Sequence, residues 1–265
     1  MTKGPWNAAR TGRWALGALA SLVLALAPLG CGGKDAEPER RDTSGVGAAL
    51  LSSRDEVTSR VPVLVDGDGA LDTQADAIGL ADLGFLEGED DAPIKIVEFS
   101  DFACGYCRQF HVESYPALAK EYIATGKVQW RYVTMVLGMF GPNSEGAAEA
   151  AECAGDQDGF AGMRDALFEE QPRWKRASDP VPVFRGIAGE QGLNVDAWSA
   201  CMDGGQARQR VRNGTLVSRR AGVRGTPNFF IVGYTAIPGA IPLDLFRQVL
   251  DELYTARTQP TGGGG

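Results

Sequence analysis

The sequence contains a single histidine, His111, and one close pair of cysteines, Cys104 and Cys107, with no second pair of the same kind. A closed zinc site needs four nitrogen or sulfur ligands. Beyond the pair, the chain offers only His111, four residues after it, and Cys153 and Cys201, with no second paired motif, so no metal site and no cofactor is expected. Calcium is excluded on similar grounds. Asp66 to Gly69 reads DGDG, but no register places a glycine at the sixth position and a glutamate at the twelfth, so an Asp-Gly turn is the reading. Positive charge is also scarce. There are 26 Lys and Arg against 34 Asp and Glu, and residues 1–31 hold three of the basic residues and none of the acidic ones. The rest of the chain therefore carries a net charge of about −11, which argues against a nucleic-acid partner. Arg208, Arg210, Arg212, Arg219 and Arg220 read as the solvated face of a helix. No internal repeat is present.

The informative stretch is Ile94 to Cys107, IKIVEFSDFACGYC. Ile94, Ile96, Val97 and Phe99 have the β-branched and aromatic bias of a buried strand, and Asp90 to Pro93 supplies the punctuation that starts it. Phe110, Tyr115, Leu118, Ala119 and Tyr122 recur at helical spacing after it. Cys104 is therefore expected at the start of a helix and Cys107 one turn inside. The unpaired N–H groups and partial positive charge of a helix start stabilise a thiolate at Cys104 and make it a better nucleophile and leaving group. Far along the chain, Gly225-Thr226-Pro227 precedes a second apolar strand, Asn228 to Val232. A proline in that place suits a cis peptide.

Together EFSDFACGYC, the adjoining RQFHVESYPAL and the later GVRGTPNFFIVG resemble the DsbA-type branch of the thioredoxin superfamily, including its membrane-tethered bacterial relatives. The resemblance spans about residues 90–256. It implies an α/β, thioredoxin-like fold with a helical insertion between the βαβ half and the C-terminal ββα half. It further implies that Cys104 is the exposed nucleophile, Cys107 its buried partner, Pro227 a cis residue against the disulfide, and Glu98 a buried acid that assists proton transfer. Gly105, Tyr106 and Thr226 are expected to meet substrate. Two departures stand out: Gly105 and Tyr106 lie between the cysteines where the best-known oxidases have Pro and His, and Thr226 replaces Val. Glu98 also has a bland reading, a side chain turned to solvent at a sheet edge. His111 reads as a structural or surface helix residue.

The N-terminus has Lys3, Arg10 and Arg13 ahead of an apolar run, Trp14 to Leu29. Its length of about 16 residues is near the upper end for a signal h-region and slightly short for a spanning helix. Pro28-Leu29-Gly30-Cys31 resembles a bacterial lipoprotein signal imperfectly, so residues 1–31 are expected to be either a signal cleaved and lipidated at Cys31 or an uncleaved anchor. Either places the rest outside the cytoplasmic membrane, tethered through the N-terminus, in a periplasmic or envelope setting that permits disulfides. Residues 32–60 read as a polar, disordered linker. Residues 61–92 read as an extension with a short strand at Val61 to Val65 and a short helix whose Ile78, Leu80 and Leu83 pack on the domain's outer face.

Residues 93–256 suit one domain. Lys127 to Val136 is a second strand, parallel to the first through a right-handed crossover. Helical text then fills about residues 141–222: Asn143 to Ala154, Phe160 to Glu170, Val181 to Gln191, Val195 to Met202 and Gln206 to Ala221, with Gln171-Pro172 and Ser178 to Pro180 as dividers. Tyr234 to Ile237 is a candidate hairpin partner for the second apolar strand, Leu243 to Tyr254 a closing helix, and residues 257–265 a disordered tail. Cys153 and Cys201 both fall in the insertion. In an exported protein they read as a structural disulfide, with two buried free thiols as the alternative.

The function expected from these parts is disulfide exchange with reduced or misoxidised exported proteins, most simply as a dithiol oxidase reset by a membrane redox partner. A reductase or isomerase using the same residues is the first alternative, and a non-catalytic binding lipoprotein the second.

Overall fold

The computed structural model describes residues 83–234 and 236–259. The export signal, Cys31, the polar linker, the strand at Val61 to Val65, the turn at Asp66 to Gly69, Ile78, Leu80 and the last six residues of the tail lie outside the described residues.

A five-stranded mixed sheet organises the domain, in the order β1 (Phe85–Glu87), β3 (Val128–Thr134), β2 (Ile94–Ser100), β4 (Asn228–Ile231), β5 (Ile237–Pro238). β2 and β3 run parallel, and the other neighbours are antiparallel. Because β2 is central, both of its faces are covered. Ile94 and Ile96 pack with Phe110, Trp130, Phe229 and Phe246 on one side, while Val97 and Phe99 pack with Val133, Val217 and Phe230 on the other. Each such side chain taken from water contributes roughly 1.5–3 kcal/mol, which is why a near-continuous apolar run suits this strand.

The helix between β2 and β3, α1, begins at Gly105–Gln109 and continues through Tyr115–Leu118, with wider π turns at Phe110–Ser114 and Ala119–Ile123. Pro116, in the first turn after the first π segment, has no N–H to donate back along the helix. The widening explains why Phe110 and Tyr115, five residues apart, are both buried.

The insertion comprises α2 (Asn143–Gly155), α3 (Phe160–Glu169), α4 (Gln171–Trp174), α5 (Val181–Glu190), α6 (Val195–Gly204) and α7 (Gln206–Arg220), and α8 (Leu243–Thr258) closes the fold. Cys153 of α2 and Cys201 of α6 are joined by a disulfide, with Cα atoms 5.7 Å apart. Two of the arginines read as a solvated face are more than that. Arg208 bonds Glu149 at 2.8 Å and Arg210 bonds Glu152 at 2.9 Å, so α7 covers two carboxylates of α2 that are nearly buried.

The helix expected before residue 92 does not extend to its C-terminal part. Leu83 is a core residue beside Val97, Phe99 and Val133, and Phe85–Glu87 forms a strand on the edge of β3. Three residues are too few to show a period of two. Gly84 makes the close approach: its φ is +65°, and a Cβ there would sit 1.9 Å from the Tyr132 carbonyl oxygen. Gln171-Pro172, read as a divider, instead opens the short helix α4.

Candidate active site

The turn between β2 and α1 is held by its own sequence. Asp101, fully buried, accepts from the Ala103 N–H at 2.8 Å, the Leu137 N–H at 2.9 Å and the Ser144 hydroxyl at 2.6 Å, and its carbonyl accepts the Cys104 N–H at 2.9 Å. Burial pushes its carboxyl up, opposed by those three donors. Cys104 is thereby fixed as the extended residue immediately before α1, with φ −73° and ψ 128°. In that position its sulfur meets the unpaired N–H groups of the first turn.

Cys104 and Cys107 are both free thiols. The Cys104 thiol donates to the Thr226 carbonyl at 3.3 Å, and the Thr226–Pro227 peptide bond is cis. The structure thus brings together Cys104, Cys107, Thr226 and Pro227 from opposite halves of the chain. Gly105 and Tyr106 are exposed beside them, Tyr106 by 69%.

The two thiols differ electrostatically. The Cys104 thiol is lowered to about 6, chiefly by a hydrogen bond from Cys107, with further help from Thr226 and the N–H groups of Cys107 and Tyr106, all against the cost of burial. Cys107 is pushed well above the ordinary thiol value by burial and by Cys104 itself. Exposure separates them less than expected, since Cys104 is 3% and Cys107 0% exposed. The asymmetry rests on which sulfur the helix start and its neighbours favour as an anion.

Glu98 is completely buried, which rules out the sheet-edge reading. Its carboxylate accepts from Trp130 Nε1 at 3.0 Å and lies 2.8 Å from His111 Nε2. Burial raises its pKa, but the His111 ring and the Trp130 N–H, with the Ser100 hydroxyl nearby, outweigh it, so the carboxyl is held below its usual range. His111 is likewise buried, stacked on Phe168 with ring centroids 4.4 Å apart. It is not a surface residue. Its position four residues after Cys107, on the same helix face, was the signal available in the sequence. Ser100 lies two residues after Glu98 on the same face of β2, and its hydroxyl favours the ionised form of both Glu98 and Cys107.

From the insertion, Gln171 donates to the carbonyls of Phe102 at 2.6 Å and Cys104 at 2.9 Å. No local sequence signal announces this contact. Among the described residues no group of three His, Cys, Asp or Glu side chains could hold a metal ion, and no helix is long and apolar enough to cross a membrane.

A polarised thiol at a helix start, a second thiol one turn inside and a cis-proline loop against them are suited to forming and resolving mixed disulfides. Comparison with known proteins gives the same chemistry. The family model described as thioredoxin matches residues 83–252. The probable disulfide bond formation protein D of Bacillus anthracis is 28% identical over 169 residues, 62% of this chain and 76% of that protein. The disulfide bond formation protein D of Bacillus subtilis is 37% identical over 151 residues, 54% of this chain and 65% of that protein. Among solved structures, α-DsbA1 of Wolbachia pipientis superposes with a TM-score of 0.58 at 25% identity, covering 65% of this chain and 91% of that one. The chain belongs to the thioredoxin family, as a DsbA-type thiol:disulfide oxidoreductase.

Proposed function

We propose that this oxidoreductase works as a dithiol oxidase on exported proteins, with Cys104 as nucleophile and Cys107 as resolving thiol. A substrate thiolate attacks the Cys104 sulfur of the oxidised enzyme; the bond between Cys104 and Cys107 breaks, and Cys107 leaves and takes up a proton. A second substrate thiol, on losing its proton, attacks the substrate sulfur of the mixed disulfide and releases Cys104 as a thiolate. Two electrons pass from substrate to enzyme, and the substrate gains its disulfide. The observation that carries this direction is the place of Cys104 immediately before α1, where first-turn N–H groups help to lower its thiol to about 6; a stabilised thiolate favours the reduced enzyme and makes its disulfide oxidising.

Glu98, paired with His111, serves in this reading as the buried acid that assists proton transfer to and from the cysteines. Pro227, Thr226, Gly105 and Tyr106 form the surface against which an extended substrate docks by strand addition. Reoxidation calls for an electron acceptor, which we assign to a quinone-linked membrane partner. The apolar run ending at Cys31 supports export to the periplasm or envelope and a tether by lipidation or by an uncleaved anchor.

Thr226 in front of the cis-proline favours a second reading, a reductase or isomerase with the same site. Reoxidation of reduced, unfolded ribonuclease, run beside insulin reduction with dithiothreitol, separates the two. An oxidase restores ribonuclease activity at stoichiometric enzyme and reduces insulin poorly. Efficient insulin reduction with no ribonuclease oxidation would reject the oxidase reading.

A further inference from the structure

The redox turn has a second support that lies outside its own sequence. Gln171, buried in α4, sends its side-chain amide across to the carbonyls of Phe102 and Cys104, at 2.6 and 2.9 Å. The Cys104 carbonyl is also the acceptor for the Arg108 N–H, at 3.1 Å, in the first turn of α1. One amide therefore ties Phe102, in the turn ahead of the helix, to the carbonyl on which the helix begins.

The platform that carries this amide is itself buried and hydrogen-bonded. Trp174, three residues on, is fully buried and donates from Nε1 to the Leu167 carbonyl at 2.8 Å. Asn143, at the start of α2, donates to the carbonyls of Trp174 at 2.9 Å and Ala177 at 2.8 Å. Pro172 fixes the backbone at the start of α4. A long side chain held this way costs conformational entropy, and a leucine or methionine would fill the same space without needing two acceptors.

We propose that Gln171 is a positioning residue of the redox site: by fixing the Phe102 and Cys104 carbonyls from the helical insertion, it keeps the first N–H groups of α1 aimed at the Cys104 sulfur. The helical insertion then has a direct part in setting the redox poise. Groups facing that sulfur are Cys107 on α1 and Thr226 on the cis-proline loop, and neither is hydrogen-bonded by Gln171. Freed from the amide, the turn can rotate its N–H groups away from the sulfur, and the thiolate loses part of its stabilisation.

The proposal rests on Cys104 being the titrating nucleophile, so Cys104→Ser is the reference. Reduced wild type, Gln171→Met, Gln171→Glu and Cys104→Ser are titrated by thiolate absorbance, and each except Cys104→Ser is equilibrated with glutathione. Gln171→Met keeps the volume and removes both N–H donors; Gln171→Glu replaces them by acceptors. Both should raise the pH at which the Cys104 thiolate appears and move the glutathione equilibrium toward the enzyme disulfide by about three- to tenfold, the size of one net hydrogen bond. Circular dichroism and an intact Cys153–Cys201 bond check the fold. Wild-type titration and equilibrium in folded Gln171→Met would overturn the proposal. So would unfolding of both variants, which would make Gln171 a support of the fold alone. A titration that survives in Cys104→Ser would instead reject Cys104 as the nucleophile.

Discussion

His111 Nε2 and Glu98 Oε1 lie 2.8 Å apart in the buried interior beneath the redox turn, pairing a helix residue with a carboxylate of the central strand. The second Glu98 oxygen is taken by Trp130 Nε1 at 3.0 Å. An isolated buried carboxylate would be protonated. Here burial does push the pKa up, and His111, Ser100 and Trp130 together bring it below the usual carboxylate range.

Glu98→Gln should therefore change both stability and rate. A carboxyl whose pKa is lower in the folded than in the unfolded state contributes stability that is present above the unfolded value, about 4.3, and is lost as pH falls through the folded value. The stability gap between wild type and Glu98→Gln should accordingly be widest above about pH 5 and shrink on acidification. Thiol oxidation near neutral pH should slow in the variant. Urea melts across pH, together with stopped-flow oxidation, test this; a gap independent of pH and an unchanged pH-rate profile would remove Glu98 from both roles.

Alkylation of Cys104 should follow its thiolate, rising with pH around a midpoint of about 6. The depressed value also stabilises the reduced folded form fully above the unfolded thiol value of about 8.5, and that contribution is lost as pH falls through the folded value. Reduced and oxidised protein should thus differ in a pH-dependent way, with the reduced form losing melting temperature relative to the oxidised form on acidification. Tyr106 supplies no positive charge between the cysteines, so the potential should fall between those of thioredoxin and DsbA, roughly −270 to −120 mV. A glutathione titration at or above the DsbA end would contradict it.

Cys107→Ser should accumulate covalent substrate complexes, because Cys104 can still exchange while the internal resolving thiol is gone. Cys104→Ser should trap very little, since Cys107 is fully buried and its thiol is pushed well up. Pro227→Thr should lengthen the life of mixed disulfides by adding an N–H to the docking loop. Acid-quenched non-reducing gels after expression in an oxidising compartment read all three. Equal trapping by the two serine variants would reverse the assignment.

The Cys153–Cys201 bond closes a loop of 48 residues, which corresponds to about 4 kcal/mol in the chain-entropy model. Cys153→Ala with Cys201→Ala should lower the denaturation midpoint strongly and leave the thiolate titration of Cys104 in place. Mass spectrometry of the unreduced protein finding two free thiols there would refute the bond.

The strand–turn–helix unit at Ile94 to Cys107 was legible in the sequence because its determinants are local: β-branched residues for β2, a cysteine immediately before a helix, and apolar spacing in α1. Five of the six insertion helices were legible for the same reason, with boundaries within two residues of those observed; the short α4 was read as a divider. β1 was not, because three residues between Gly84 and Gly88 carry no period and exist as a strand only by pairing with β3. Tertiary structure alone decided what surrounds the cysteines. Glu98 could have faced solvent, but the central place of β2 buries it, and burial then demands partners that His111 and Trp130 supply from two other elements. Gln171 stands 67 residues after Cys104 and looked like helix punctuation, since its hydrogen bonds exist only once the insertion folds over the redox turn. The identity of the reactive pair is local chemistry; the poise of that pair is set by groups that chain folding brings together.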